Sequence, residues 1–416
     1  MSKFIIKGGK KLAGEIQVAG SKNAVLPAMA ACLLTDEPCR LTNVPMIDDM
    51  KVMAEIMRDL GAKVEIGDHE ILIEAKELKH ADLKPELVGK FRGSVLLVGP
   101  LLARMKKVSM PLPGGDKIGA RSIDPHISAM KALGAEVKMG EVIEFAAPEL
   151  TGTKIVLEES SVTGTENTIM AASLASGKTT IKMAAMEPHA QFLGQILNQM
   201  GAKVSGIGSP SLEIEGTKKL RGFNIAIIPD DNEAASFITL AAATQSHIKV
   251  TKLNPDNLED FLLKLSKMKV QFRIGEDYVE VLEPREAYIA TKIQGGLYPK
   301  MNSDFIPPIA VLATQASGVS IMNEWMYENR LAYAAELMKM GAHIEAMDSH
   351  NVEITGPTQL MGAKMTSYDL RMGMTLVIAA LVAAGESEIE NIEHIDRGYE
   401  NLETRLTNIG AEIERV

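Results

Sequence analysis

The sequence has few cysteines, few aromatic residues and no long apolar run. Its 416 residues include 2 cysteines, 1 tryptophan and only 4% aromatic residues. Two thiols, Cys32 and Cys39, are too few for a disulfide framework or a cysteine-based metal site, and their apolar neighbours predict buried structural thiols. The longest apolar run, residues 372–384, is shorter than the roughly 20 residues that a membrane-spanning helix needs. We therefore expect neither a disulfide-rich secreted protein nor an integral membrane protein.

The sequence also lacks an excess of positive charge. Its 44 lysines and arginines face 54 acidic residues, which gives a formal net charge of −10. This balance argues against non-specific nucleic-acid binding, although a local set of basic side chains can still hold a small anionic substrate. The chain reaches Lys7 and Gly8 before the apolar core of a signal peptide forms. We expect a cytoplasmic protein.

A short phrase of the type Leu-Gly-Ala-x-Val recurs along the whole chain. Its second position falls at residues 61, 134, 201, 269, 341 and 410, so successive copies are 67 to 73 residues apart. Five copies carry glycine there, and the degenerate fourth copy carries Lys269. A repeat of this kind indicates a repeated supersecondary unit. Since a chain of 416 residues favours two domains, we expect three units in each.

Each unit is predicted to contain two different helices and several strands. One helix is amphipathic and ends at the repeated glycine, after which an alternating strand begins. The other helix is apolar on nearly all sides, which predicts burial. Three such helices can share one core beneath a layer of strands. The apolar segments are 24–34, 93–103, 167–175, 234–243, 305–316 and 372–384.

Polar residues stand at the start of every apolar segment. The N-terminus of a helix has free N–H groups and the positive end of the helix dipole, so it suits an anionic ligand. A charged residue there can also be an ordinary helix cap, and for any one of the six helices taken alone the cap is the favoured interpretation. If the two domains face each other by these ends, the cleft between them gathers cations around one acid. The residues are Lys22, Asn23, Arg92, Glu166, Asn167, Glu233, Asp304 and Arg371.

A glycine-rich stretch over residues 111–121 has two prolines at its start and three glycines further on. Proline limits φ and glycine permits backbone angles closed to other residues, so the stretch predicts a shaped loop. It carries Asp116 beside two cations, Lys117 and Arg121. An acid on a closable loop suits proton donation to an anionic substrate, and an ordinary surface turn is the alternative.

Several motifs in the same order resemble those of the enolpyruvyl transferases. The resemblance covers the whole chain and is carried by residues 20–27, 111–121, 164–167, 303–304, 328–330, 369–371 and 394–400. It implies an α/β fold of two inside-out barrel domains, three repeats in each, with the active site in the cleft between them. It also implies a first domain over 22–229, which carries the glycine-rich loop, and a second over 1–21 plus 230–416.

The resemblance is strongest to the branch of the family that uses UDP-N-acetylglucosamine in bacterial cell-wall synthesis. It implies a transferase in which the 3-hydroxyl of the sugar attacks C2 of phosphoenolpyruvate. C3 is protonated, and the tetrahedral intermediate then loses phosphate to leave an enolpyruvyl ether. It implies no cofactor, no metal, no nucleic-acid or membrane partner, and a monomer or weak homo-oligomer.

The same resemblance assigns roles to individual residues. Asp116 would donate the proton to C3 and Asp304 would act as base, with Lys22 and Arg397 completing the catalytic set. The predicted phosphoenolpyruvate ligands are Lys22, Asn23, Arg121, Arg330, Arg371 and Arg397. The predicted contacts of the UDP-sugar are Asn23, Arg92, Arg121, Ser122, Ile123, Asp124, Pro125, Ser161, Val162, Thr163, Gly164, Asp304 and Met326. His126, which follows the nucleotide segment, is predicted to be structural.

Three residues depart from the pattern of the family. Asp116 stands where most members have a cysteine, the residue that fosfomycin alkylates, so we expect activity to persist and the drug to fail. Asp48 and Glu159 stand where members have lysines near the sugar nucleotide, which places the identity of the acceptor in question. Transfer to shikimate 3-phosphate, and a catalytically retired binding protein, are therefore the alternatives. Asn23 and the loop ending at residues 119–121 favour the sugar nucleotide.

Overall fold

The computed structural model describes residues 2–115, 118–119 and 121–416. The chain forms two compact units. The first unit contains residues 2–19, 118–119 and 229–416, most of which lie in the domain that the sequence analysis numbered second. The second unit contains residues 20–115 and 121–228. Each unit has its own apolar core.

Helices of two kinds alternate along the chain. The α-helices are α1 (Lys22–Cys32), α2 (Asp48–Asp59), α3 (Pro85–Val88), α4 (Val98–Met105), α5 (Asp124–Ala132), α6 (Val162–Ala172), α7 (Pro188–Met200), α8 (Asp231–Ala243), α9 (Glu259–Lys267), α10 (Ile306–Thr314), α11 (Tyr333–Lys339), α12 (Leu370–Val382), α13 (Glu393–Asp396) and α14 (Leu402–Thr407). Short 3-10 helices span Arg92–Leu97, Pro255–Leu258, Ser303–Phe305 and Arg330–Ala332.

The strands are short and lie between the helices. They are β1 (Lys3–Lys7), β2 (Ala13–Gln17), β3 (Cys39–Thr42), β4 (Lys63–Ile66), β5 (Glu70–Glu74), β6 (Lys107–Pro111), β7 (Glu136–Lys138), β8 (Val142–Ala146), β9 (Lys154–Val156), β10 (Lys178–Lys182), β11 (Lys203–Ser205), β12 (Ser211–Glu215), β13 (Asn224–Ala226), β14 (His247–Thr251), β15 (Phe272–Ile274), β16 (Tyr278–Val281), β17 (Lys292–Gln294), β18 (Gly318–Asn323), β19 (His343–Ala346), β20 (Asn351–Gly356), β21 (Lys364–Thr366), β22 (Glu386–Glu390) and β23 (Glu412–Arg415).

Within the described residues the strands form six small sheets, three in each unit. The second unit has the orders β13-β3-β5-β4, β6-β8-β7 and β11-β12-β10-β9, and the first unit has β15-β16-β14-β2, β17-β18-β20-β19 and β21-β22-β1-β23. Five sheets combine one parallel pair with two antiparallel pairs. The three-stranded sheet has a parallel bridge between Asp82 and Ser109 in the equivalent place. The six repeats predicted from the sequence are therefore confirmed.

The inner helices are apolar because each packs on a sheet and on other helices. In the first unit α10 packs against α8 and α12, and these helices cover the inner faces of the sheets. Helix α12 is buried without interruption from Leu370 to Leu381. In the second unit α4 packs against α6 and α1 against α7. The predicted two-domain α/β architecture, with apolar helices inside and strands outside, is confirmed.

Each repeated glycine follows an outer helix in the left-handed conformation that ends helices. Gly61, Gly134, Gly201, Gly341 and Gly410 have φ between +95° and +105°. Lys269 occupies the same position in the degenerate copy with φ of +69°. The turn therefore persists where glycine is missing, although a side chain in this region is unfavourable.

Two of the inner helices differ from the prediction. The segment predicted to begin at Asn167 is helical from Val162, because Ser161 caps it by accepting the N–H of Gly164 at 3.2 Å. Glu166 therefore lies inside the helix, where it is buried, and the prediction that it opens the helix was wrong. The segment that begins near Arg92 starts as a 3-10 helix and becomes α-helical at Val98.

Both cysteines behave as the sequence predicted. Cys32 and Cys39 are free thiols with no exposed surface. In the part of the chain that the structure describes, no helix combines the length and apolar character required to cross a bilayer.

Candidate active site

The first unit buries a cluster of two acids and two arginines. The carboxylate of Asp304 accepts hydrogen bonds from Arg330 Nη2 at 2.6 Å and from Arg371 Nε at 2.8 Å. Arg330 Nη1 also lies 3.6 Å from Asp369 Oδ1. Only 6% of each arginine is exposed. Three predicted site residues therefore lie together, and Asp369 joins them.

Burial and charge act in opposite directions on the two arginines. Burial disfavours a charged guanidinium, but the carboxylates outweigh it. The charges of Asp304 and Asp369 raise the pKa of Arg330, and that of Asp304 raises the pKa of Arg371. Arg330 Nε has no hydrogen-bond partner among the described residues. The cluster thus holds two permanent cations of the kind that bind oxyanions.

The starts of two inner helices position this cluster. Asp304 lies in the 3-10 turn that precedes α10, where Asn302 Oδ1 accepts its N–H at 2.9 Å. Asp369 caps α12 by accepting the N–H of Arg371 at 2.8 Å and that of the next residue at 3.0 Å. A cation at a helix N-terminus is unfavourable by itself. The two flanking acids explain why Arg371 is stable there.

Arg397 follows the short helix α13, which packs on the first turns of α12. Gly373 in α12 permits this close approach, because a Cβ there would lie 2.6 Å from Ile395 Cγ1. The Tyr399 hydroxyl is 2.8 Å from Ser236 Oγ in α8. The structure therefore holds the segment that carries Arg397 beside the N-terminal half of α12.

In the second unit, Lys22 opens α1 and pairs with an acid that the sequence analysis did not single out. Lys22 Nζ lies 2.7 Å from Asp49 Oδ2, and the two side chains are only 12% and 5% exposed. Asp48, which the sequence analysis did single out, is half exposed and lies 2.9 Å from Lys51. Successive residues on a helix point about 100° apart, so only one of two adjacent acids faces inward. Asn23 is partly exposed.

The predicted nucleotide segments lie at the starts of α5 and α6. Arg92 Nη2 donates to the carbonyl of Ser122 at 2.8 Å, and the first N–H of α5 donates to Ser122 Oγ at 3.0 Å. The two segments are neighbours, since a Cβ on Gly164 would lie 3.1 Å from Pro125 Cβ. The predicted contact residues differ in exposure. Two are exposed, namely Ser122 and Asp124. Five are partly exposed, namely Arg92, Arg121, Ser161, Val162 and Thr163, and three are buried, namely Ile123, Pro125 and Gly164.

Buried His126 joins these two segments. Asn167 accepts the N–H of Gly99 through Oδ1 at 2.7 Å, so its Nδ2 group donates to His126 Nδ1 at 2.8 Å. The proton of the ring therefore sits on Nε2, which donates to Thr163 Oγ1 at 3.1 Å. Burial, and then the charge of Arg92, lowers the pKa of His126 to about 3. The ring is a neutral link between α5 and α6, in agreement with the predicted structural role.

The glycine-rich loop is only partly within the described residues. Gly115 and Gly119 have φ of +116° and +143°, which fits the prediction of a shaped loop. The carbonyl of Ile118 accepts the N–H of Asn329 at 3.0 Å within the first unit. Asp116 lies outside the described residues, so its role as an acid stays a prediction.

The two remaining positions of interest lie at the surface. Glu159 is exposed, and its carbonyl accepts the N–H of Ser161 at 2.7 Å. Met326 is 36% exposed, while its N–H donates to Glu324 Oε1 at 2.9 Å. Among residues 2–115, 118–119 and 121–416 there is no group of His, Cys, Asp or Glu that could hold a metal ion.

Sequence reasoning missed three buried acids, Asp49, Asp369 and Glu324. Each contacts a residue at least 21 positions away in the chain. No local spacing therefore reveals them. The signals that pointed to them were the position of Asp49 and Asp369 at the start of a helix, which is shared by many surface acids, and the place of Asp369 in the 369–371 motif, to which no role was assigned.

Known proteins resemble this chain over its full length. The family model of EPSP synthase (3-phosphoshikimate 1-carboxyvinyltransferase) matches residues 6–406. A UDP-N-acetylglucosamine 1-carboxyvinyltransferase from Treponema denticola is 41% identical over 423 residues, with 100% of this chain and 99% of the relative covered. A protein of the same name from Bradyrhizobium diazoefficiens is 40% identical over 421 residues, with coverages of 99% and 98%.

Solved structures show the same fold at lower identity. The enolpyruvyl transferase NikO from Streptomyces tendae superposes with a TM-score of 0.91 at 23% identity, covering 100% of this chain and 99% of its own. EPSP synthase from Acinetobacter baumannii superposes with a TM-score of 0.78 at 19% identity and complete coverage of both chains. At such identities the structures support the fold alone.

Proposed function

The chain belongs to the EPSP synthase family of enolpyruvyl transferases, and from this premise we propose how its residues transfer an enolpyruvyl group to UDP-N-acetylglucosamine. The donor in this proposal is phosphoenolpyruvate, and the reaction opens the synthesis of peptidoglycan. It needs a base for the sugar hydroxyl, an acid for C3 of the donor, and cations for a carboxylate and a phosphate.

The observation that carries the proposal is the Asp304 carboxylate held between Arg330 and Arg371. The carboxylate of phosphoenolpyruvate is equivalent to that of Asp304 in charge and shape, so the same guanidinium groups suit it. Its arrival displaces Asp304 from one or both arginines. The released Asp304 then accepts the proton of the 3-hydroxyl as that oxygen bonds to C2.

Lys22, Arg121 and Arg397 hold the phosphate in this mechanism. Lys22 stands at the first position of α1, where free N–H groups also favour an anion. These cations stabilise the charge that develops on the phosphate oxygens as the C–O bond of the tetrahedral intermediate breaks. Loss of a C3 proton restores the double bond, and the enolpyruvyl ether and inorganic phosphate are released. That both units act on one pair of substrates stays a prediction.

Asp116 takes the place of the loop acid that protonates C3. A carboxyl group must be protonated for this step, so we expect a more acidic pH optimum than in an Asp116→Cys variant. A carboxylate is also a poor nucleophile toward the epoxide of fosfomycin, whereas a thiolate is a good one. Rapid covalent inactivation of the unmodified enzyme by fosfomycin would contradict this role of position 116.

The nucleotide lies along residues 121–125 and 161–164 in this proposal, with Arg92 and Met326 at its ends. Residues 122–125 and 161–164 stand at helix starts, where the positive end of the helix dipole suits a diphosphate. Asp48 and Glu159 are both exposed, so neither is fixed against this surface by a buried contact. We further propose that the enzyme is cytoplasmic, because both substrates are charged metabolites. We also propose that it is a monomer or weak homo-oligomer.

The test is release of inorganic phosphate from phosphoenolpyruvate by the purified protein. Turnover with UDP-N-acetylglucosamine and none with shikimate 3-phosphate is expected, and fosfomycin should leave the rate unchanged. Turnover with shikimate 3-phosphate alone would show that the acceptor is shikimate 3-phosphate and not the UDP-sugar. No turnover with either would support a retired binding protein, which equilibrium binding of the UDP-sugar would then detect.

A further inference from the structure

Glu324 is an acid with no exposed surface, located directly after β18. Its carboxylate receives three hydrogen bonds from the described residues. Ser303 Oγ donates to Oε2 in a short contact, and the N–H groups of Met326 and Tyr327 donate to Oε1 at 2.9 and 3.2 Å. A buried carboxylate is costly unless such donors compensate it. The donors explain how Glu324 persists there.

The three donors belong to two different segments of the site. Ser303 precedes Asp304 in the 3-10 turn, so Oε2 is tied to the residue next to the proposed base. Met326 and Tyr327 lie in the loop that leads to Arg330, so Oε1 is tied to the proposed carboxylate ligand. One side chain therefore connects the turn that carries the base with the loop that carries the arginine.

The main chain of Glu324 is also fixed. Its N–H donates to the carbonyl of His350 at 2.8 Å, and its own carbonyl accepts from His350 Nδ1 at 2.7 Å. Because both main-chain groups of Glu324 are bonded to His350, Glu324 is anchored independently of the turn and the loop. It acts as a fixed point for both.

We propose that Glu324 is a positioning residue that fixes the turn carrying Asp304 relative to the loop carrying Arg330, so that Asp304 is correctly placed to accept the proton of the 3-hydroxyl once phosphoenolpyruvate has displaced it from the arginines. This inference rests on the proposed function, in which Asp304 is the base. Glu324 contacts neither substrate and acts only through the hydrogen bond of Ser303 and the two backbone N–H groups. The rate of proton transfer is sensitive to such placement, because a shift of ~1 Å in a reacting group costs ~10²-fold in rate.

Removal of the Ser303 hydroxyl isolates one of these connections. In Ser303→Ala the turn loses its contact with Oε2, while the two backbone donors still hold the carboxylate. Ser303→Thr keeps a hydroxyl and serves as the conservative rescue. Glu324→Gln retains the shape and both backbone contacts, although the direction of the bond to Ser303 must reverse. Ser320→Ala is the matched control, since Ser320 is also buried, lies on β18, and accepts the Thr291 N–H at 3.3 Å.

The experiment is steady-state kinetics of the full-length variants with phosphoenolpyruvate and UDP-N-acetylglucosamine, with thermal unfolding measured in parallel. We expect kcat of Ser303→Ala to fall by about 10-fold to 100-fold, with both KM values within about 2-fold of the unmodified enzyme. Ser303→Thr should recover most of kcat, and Ser320→Ala should keep it. Glu324→Gln should also lower kcat, because its bond to Ser303 has to reverse, and in the double variant Ser303→Ala/Glu324→Gln the two losses should be much less than additive, since both changes act on one contact.

Unchanged kcat in Ser303→Ala would overturn the positioning role, and so would an equal loss in Ser320→Ala or a failure of Ser303→Thr to recover. An Asp304→Asn variant run beside them separates the two hypotheses. If it retains turnover, the proposed role of Asp304 is wrong. If it loses turnover while Ser303→Ala does not, only the inference about Glu324 fails.

Discussion

The two units have the same repeat but hold their site residues in different ways. In the first unit, opposite charges are buried against each other in the cluster of Asp304, Arg330, Arg371 and Asp369. In the second unit, Lys22 at the start of α1 forms an ion pair with Asp49, and a neutral network around His126 joins the segments proposed to bind the nucleotide. The helix starts provide similar positions in both units, and the charges at those positions differ.

This difference predicts different kinetic effects. A buried charged cluster has a large electrostatic consequence when one member is removed, because the remaining charges lose their compensation. A neutral network loses only the modest energy of its hydrogen bonds. We therefore expect substitutions in the charged cluster of the first unit to affect stability and kcat strongly, and those in the neutral network of the second unit to affect mainly KM and pH dependence.

The largest effect is expected for Arg330→Met. This change leaves Asp304 and Asp369 without a shared cation, so the free energy of unfolding should fall by about 3–5 kcal/mol, and turnover should be lost. Urea unfolding and phosphate release measure the two effects. Arg273→Met is the control, because Arg273 is 69% exposed and lies 3.6 Å from Glu280, and surface pairs contribute about 0–1 kcal/mol.

The pair of Lys22 and Asp49 tests whether the second unit also contains a buried charged site like the cluster of the first unit. Lys22→Met removes the cation paired with the buried carboxylate of Asp49 and should cost about 3 kcal/mol of unfolding free energy. Adding Asp49→Leu should restore most of that stability. Turnover should stay low in both variants, since each lacks Lys22, the proposed phosphate ligand. Recovery of turnover in the double variant would show that Lys22 has only a structural role.

The buried neutral state of His126 predicts a dependence of stability on pH. Its pKa is about 3 in the folded protein and ~6.5 in the unfolded chain, so between these values the unfolded chain binds a proton that the folded protein does not. The free energy of unfolding should therefore fall as the pH falls from about 6.5 toward 3, by up to ~1.4 kcal/mol per pH unit.

A His126→Gln variant should lose this contribution. Urea unfolding at pH 7 and pH 5 should show a decrease in the unmodified protein that is about 2 kcal/mol larger than in the variant. An equal decrease in both proteins would mean that other groups cause the pH dependence. The neutral network would then not differ from the rest of the molecule in its response to acid.

The smallest effect is expected for Thr163→Val, which keeps the shape of the side chain and removes the acceptor of the His126 Nε2–H bond. Loss of one neutral hydrogen bond costs ~1 kcal/mol, so KM for UDP-N-acetylglucosamine should rise about 5-fold while kcat stays within about 2-fold. Thr163→Ser should restore KM. A loss confined to kcat would contradict the assignment of this network to nucleotide binding.

Much of the fold follows from local sequence. The repeated glycine ends an outer helix at each copy because the left-handed conformation there excludes most side chains. The apolar segments form inner helices because six similar surfaces have to be buried. Lys269 shows the limit of that rule, because the turn forms without glycine once the neighbouring helix and strand are fixed by packing.

The site was predictable only where a motif carried it. Asp304, Arg330 and Arg371 were predicted from the family pattern, and the structure brings them together. Asp49 was not, because Asp48 and Asp49 are indistinguishable until the orientation of α2 is known. Contacts such as that of Glu324 with Ser303 join distant parts of the chain. Such contacts depend on how strands and helices pack, which local spacing does not encode.

The most direct test of the proposed chemistry is the Asp304→Asn variant, measured by both phosphate release and equilibrium binding of phosphoenolpyruvate in the presence of UDP-N-acetylglucosamine. Asparagine keeps the shape of the side chain but removes the base and the negative charge that competes for Arg330 and Arg371. We expect turnover to fall by at least ~10²-fold, with affinity for phosphoenolpyruvate unchanged or increased. Turnover close to that of the unmodified enzyme would contradict the mechanism, and so would a loss of phosphoenolpyruvate binding.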